Sequence, residues 1–142
     1  MGVMNTQDGG FCVQMINKTG AIAVKGSLVS PHPTIDFAVA LTAADSAEPC
    51  GVIADYGAAD GDPVWVIVAG CADVLLQDST AATRQYWART SITTPGRADI
   101  TNSAPPVGSV SALEGRFKGV GSALQSVTAG VNKLCRCFLH FD

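Results

Sequence analysis

The stretch Pro63 to Gln77, PVWVIVAGCADVLLQ, constrains the fold more than any other. Val64, Val66 and Val68 alternate with Trp65, Ile67 and Ala69, so the run is apolar at both parities. A strand covered on both faces reads this way; a half-solvated strand alternates apolar with polar. The run therefore belongs at the centre of a sheet or barrel. Gly70-Cys71-Ala72 then presents no bulky side chain, which suits a bulge or sharp bend. Asp73 to Gln77 resumes as a second strand. Turn chemistry flanks the pair, with Ala59-Asp60-Gly61-Asp62 before it and Asp78-Ser79-Thr80 after it.

The rest of the chain supplies further short strands. Phe11 to Ile16 is one, Asn17 to Gly20 a turn, and Ala21 to Val29 another strand interrupted at Gly26. Residues 37–41 and 49–54 are short extended segments. Leu134 to Phe141, LCRCFLHF, closes the chain as a strand. Its period of two places Cys135, Cys137, Leu139 and Phe141 on one face and Leu134, Arg136, Phe138 and His140 on the other. Residues 1–10, polar and ending in Gly9-Gly10, read as a loose arm. Residues 78–89 are the one helical candidate. Asp78 or Ser79 can cap it, and Ala81, Ala82, Arg84 and Gln85 are good helix formers. Residues 90–111 read as a loop broken by Thr94-Pro95-Gly96 and Ala104-Pro105-Pro106. Residues 112–121 stay ambiguous, with Gly115, Gly119 and Gly121 favouring extended structure. The expected fold is all-β with one short helix: a small β-barrel or β-sandwich over residues 11–142, preceded by a flexible arm and carrying a long excursion at 79–111.

Composition excludes some classes of partner. Only 15% of the 142 residues are charged, against roughly 25% in an average domain. The net charge is −3 with no basic cluster, so nucleic acid, whose phosphates need a cationic footprint, is not an expected partner. No apolar stretch approaches the ~20 residues of a membrane span. The N-terminus lacks a basic start followed by an apolar segment, so no export signal is expected. The five cysteines, Cys12, Cys50, Cys71, Cys135 and Cys137, are odd in number and form no CxxC pair. They are expected to be reduced and to pack as small hydrophobes.

Catalytic chemistry is sparse. His32 lies between two prolines and His140 on the final strand, with no clustered ligands at metal spacing. On a strand, Cys135 and Cys137 face away from His140. Asp60-Gly61-Asp62 lacks the remainder of a calcium-loop pattern and suits a turn. No serine sits in a GxSxG elbow, and GRFKGVG at 115–121 is no phosphate loop. The expectation is therefore a protein that is not an enzyme and holds no metal or cofactor. Tyr86, Trp87 and Arg89 are the residue types enriched at interface hot spots.

Segment order then carries a resemblance. A Gly-Gly arm, an NKTG turn and VKGSLV are followed by PCGVIADYGAADGDPVWVIVAG, ADVLLQDSTAATRQYW, a TPGRAD loop, an APP segment and LCRCFLHFD. Across Phe11 to Asp142 this resembles small phage head proteins, specifically capsid decoration (cement) proteins with a β-tulip or related barrel domain. The resemblance implies a structural virion protein, made in the host cytoplasm, that coats and stabilises the outer surface of a capsid. It implies the major capsid protein as partner and self-association, as a homotrimer. The candidate interface residues are Met4, Asn5, Gln7, Phe11, Tyr86, Trp87, Arg89 and Arg97. A phage tail or fibre component, or a carbohydrate-binding surface module using Trp87, is the alternative.

Overall fold

The structure, a computed structural model, describes residues 2–102 and 117–141. Its core strand runs without a break over Pro63–Leu75, so the two expected strands are one. This is β6 of ten strands: β1 (Val3–Asn5), β2 (Gly10–Asn17), β3 (Leu28–Pro31), β4 (Ala38–Leu41), β5 (Gly51–Ile53), β6, β7 (Trp87–Thr90), β8 (Ala98–Thr101), β9 (Gly119–Ala123) and β10 (Leu134–Leu139). The all-β class is as expected.

The pairings close on themselves twice, and β6 belongs to both cycles. In the first, β2 pairs β4 in parallel, and β4–β3, β3–β5, β5–β6 and β6–β2 follow antiparallel. The second runs from β6 through β10, β9 and β7 to β8. It is completed by a parallel bridge between Ala98 and Leu76, just past the end of β6.

The small-residue corner switches β6 from one cycle to the other. Phe11 opposes Ala69 while Cys12 opposes Ile67, so Val68 is an extra residue without a partner on β2. Such a bulge reverses which parity faces which side. Before it, Val64 and Val66 enter one buried cluster and Ile67 the other; after it, Ala72, Val74 and Leu76 enter the cluster of Ile67. Gly70 has φ +85, and a Cβ there would collide with the carbonyl oxygen of Gly9. That same oxygen accepts a 3.1 Å hydrogen bond from the Cys71 N–H. Only glycine fits a left-handed position pressed this closely on another backbone.

Several expected segments differ. Residues 78–89 are not helical: Ser79 and Gln85 have φ of 66 and 74. The segment instead runs beside residues 123–130. Ala82 and Val127 exchange two 2.9 Å backbone hydrogen bonds, and Ser79 N–H donates to Gly130. Tertiary pairing here overrides alanine's helix propensity. The expected excursion contains β7 and β8, while its residues 103–111 lie outside the described residues, as do 112–116 of the ambiguous segment. Of the expected strand at 21–29, only Leu28 and Val29 are in a strand. The preceding loop is pinned by the fully buried Asn17, whose Nδ2 donates to Ala21 and Ala58 carbonyls at 2.9 Å. The expected arm also carries structure, because Val3–Asn5 pairs antiparallel with β2. It reverses at a turn closed by Thr6, whose Oγ1 accepts from the Gly10 N–H at 2.8 Å.

Candidate interface

The outer face of the second cycle follows from its register. Cys71 opposes Phe138, Phe138 opposes Ser122, Ser122 opposes Trp87 and Trp87 opposes Thr101. Cross-strand partners share a face, so Phe138 and Trp87 stand two strands apart, roughly 10 Å by the usual strand spacing. The core takes the alternate residues, with Cys135, Cys137, Ala88 and Ala123 at 0–2% exposure. Phe138 is 44% exposed and lies 5.0 Å from the His140 ring. Leu124 beside it is 46% exposed.

Beside this row lies a charged network. Arg136 Nε donates to Asp73 at 2.9 Å, and its guanidinium lies 3.4 Å from Asp8. Lys25 reaches Asp73 at 3.5 Å. Hydrogen bonding to Asp73 holds the Arg136 guanidinium above its ordinary pKa. The network ties the β1–β2 turn to β6 and β10. It borders a depression of about 40 Å³ also lined by Thr6, Ile67 and Cys71.

The expected interface residues fall into two groups. Met4, Asn5, Gln7 and Phe11 belong to the N-terminal hairpin, where Asn5 opposes Phe11 and Phe11 opposes Ala69. Met4 and Phe11 are 39% and 41% exposed. Tyr86, Trp87, Arg89 and Arg97 belong to the β7–β8 hairpin and its approaches. Tyr86 is exposed, and its carbonyl accepts from the Ala123 N–H. Arg89 lies 3.9 Å from Asp99, its Nε buried without a hydrogen-bond partner. Arg97 is a clamp: Nη1 donates to the Leu76 carbonyl at 3.0 Å and to Asp78 at 2.9 Å, and Nη2 donates to Asn132 at 2.8 Å. Phe11 of the first group lies opposite Ala69 of β6, while the row that starts at Trp87 reaches β6 only through Ser122 and Phe138, at Cys71.

Other exposed apolar side chains escaped the sequence reading. Phe37 is 63% exposed at φ 58, a strained conformation for an aromatic residue. Ile22, Val24 and Tyr56 are exposed near one another, where Ala23 and Gly57 bond across two loops. The alternation of LCRCFLHF puts Phe138 on the face of Arg136 and His140, and the presence of those two polar residues is the available signal that this face is the outer one.

Among the described residues, no cluster of three or more His, Cys, Asp or Glu could hold a metal ion. All five cysteines are free thiols. Burial raises Cys12 and pushes Cys50 up to about 11. Cys137 is raised by its hydrogen bond to Cys135 and by burial. Asp60 serves a turn, accepting from the Gly20 N–H at 2.9 Å and pairing with Lys18 at 3.6 Å.

No protein-family model and no curated protein matches this sequence. The fold, however, has counterparts among solved structures. One is the N-terminal base of the head fibre protein gp8.5 of bacteriophage phi29, at TM-score 0.54 and 15% identity, covering 91% of this chain and 92% of that one. Nearly end-to-end superposition at this identity establishes a shared fold.

Proposed function

We propose that this chain is a structural protein of a phage virion, mounted on the outer surface of the head. The observation that carries the reading is its end-to-end likeness in fold to a head fibre base. The segment order supports the same class, and so does a surface of exposed aromatic and aliphatic side chains over a charge-poor chain. Such a surface suits association with other protein more than reaction with a small molecule. The partner is the major capsid protein, contacted through the N-terminal hairpin and the Phe138–Trp87 face.

Two roles fit this position: cementing the shell, and serving as the base of a fibre. Capsids lacking the protein, with and without added purified protein, separate them. Restored resistance to heat or osmotic shock marks a cement. Stoichiometric binding without that gain marks a fibre base. Failure to bind, or density for the protein away from the head in images of intact particles, overturns the reading. Trp87→Ala and Phe138→Ala together are expected to weaken binding at least tenfold, as loss of hot-spot aromatics does.

A further inference from the structure

Among the described residues, the outer edge of β1 is open. β1 pairs only with β2, and no described strand lies on its other side. The hydrogen-bond phase of the hairpin fixes which groups point outward. Gln14 N–H donates to the Gly2 carbonyl at 2.9 Å, and Thr6 N–H donates to the Gly10 carbonyl at 2.8 Å. In an antiparallel pair, bonded and non-bonded positions alternate. Gly2, Met4 and Thr6 therefore bond inward to β2, and the N–H and C=O of Val3 and Asn5 face away from it.

Exposed edges are ordinarily blunted by shortness, lysine, proline, an inward charge or a bulge. Among the described residues β1 uses only the first of these, at three residues. Residues 2–7, GVMNTQ, contain no charge and no proline, and β1 pairs with β2 in continuous register. Val3 is 64% exposed and Met4 39%. The edge is also held in place, since Arg136 grips Asp8 and donates to its carbonyl at the adjoining turn. β8, the other terminal strand, differs in carrying charge and a further backbone tie. It carries the Arg89–Asp99 pair and is tied at Ala98 to Leu76 and Gln77.

We propose that β1 is a self-association edge, which pairs antiparallel with β1 of a second copy about a two-fold axis through Met4. The segment suits itself. Centred on Met4, Val3 of one copy lies opposite Asn5 of the other, and both residues have outward backbone groups. The pairing forms roughly four hydrogen bonds by the antiparallel rule. Its uncharged side chains bring no like charges together, as a charged strand pairing with itself would. A two-fold contact of this kind is isologous and closes at two copies, in place of the homotrimer that the resemblance implies. The inference does not depend on the virion reading.

Proline tests the edge cleanly. At Val3 or Asn5 it deletes an outward N–H, and at Met4 it deletes one bonded to β2. The wild-type protein is expected to show twice the monomer mass by light scattering at high concentration. Val3→Pro and Asn5→Lys are expected to run as monomers with unchanged circular dichroism. Met4→Cys carries the register test, because non-bonded antiparallel partners lie close enough for a disulfide. Under mild oxidation it is expected to give a covalent dimer, whereas Val3→Cys, which faces Asn5, does not. A wild-type protein that stays monomeric, or variants at 3 and 5 that dimerise like the wild type, overturn the proposal. So does equal cross-linking of both cysteine variants.

Discussion

The two buried clusters meet along β6 but are built from different side chains. Inside the first cycle, Val29, Val39, Ile53, Val64 and Val66 fill the space almost wholly with β-branched residues. The second cluster sets small residues, Ala72, Ala82, Ala88, Ala98, Ala123, Cys135 and Cys137, among larger ones such as Leu28, Val74, Leu76 and Leu139. Small residues there leave room for backbones to approach. A Cβ on Gly121, for instance, would overlap the Phe138 carbonyl oxygen. The first core is filled almost wholly by β-branched side chains, the second by large side chains together with strands held close at small ones. At those small positions the response to substitution should therefore be opposite in kind.

The largest effect is expected in the first core. Ile53→Ala removes a side chain at 1% exposure and should cost about 2–5 kcal/mol in urea unfolding. Gly70→Ala comes next. A left-handed φ alone costs a residue ~1–2 kcal/mol, and the overlap with Gly9 adds to it. An unchanged denaturation midpoint would mean that the corner is not the junction described. In the second core the harmful direction is enlargement. Ala88→Val should cost about 1–3 kcal/mol through overpacking, and a neutral result would remove the contrast between the cores. Arg97→Ala loosens the seam between Leu76 and Ala98. Because Asp78 is half exposed, the cost should be on the order of 1–2 kcal/mol, below a buried charged bond.

The smallest effect is in thiol chemistry. Cys71, half-buried, should alkylate first in the native protein, while Cys12, Cys135 and Cys137, at 0% exposure, wait for unfolding. Cys50 should react slowly near neutrality and faster toward its raised value of about 11. Because folding raises this thiol, its contribution to stability is full below the ordinary 9.0 and is lost as pH climbs from there to about 11. Mass spectrometry of labelled peptides reads all five sites.

The difference between the cores also explains what was legible in the sequence. Val64, Val66 and Ile67 announce burial on both faces, and the period of two in LCRCFLHF separates the face of Cys135 and Cys137 from that of Arg136 and Phe138. Gly70-Cys71-Ala72 signals a corner because a run of small residues interrupts bulky ones. Ala82 misleads for the same reason that it suits the second core. Alanine favours a helix in isolation, and only the later segment at 123–130, where Ala82 pairs with Val127, makes it extended. β1 was hidden similarly, since Val3-Met4-Asn5 becomes a strand by pairing with β2. As for the candidate interface, residue type alone singled out Trp87 and Tyr86. It could not tell Arg97, a clamp between loops, from an arginine available to a partner.

Because β6 is shared, the two cycles become complete at different moments of synthesis. The first needs nothing beyond residue 75, where β6 ends. The second waits for β10, whose last residue is Leu139. At translation rates of about 5–20 residues per second, the first cycle has several seconds in which to close alone, leaving the far half of β6 uncovered until β10 leaves the ribosome. Folding should then register as two separate tugs on a stalled nascent chain, and a single tug at full length would mean that the halves fold only together.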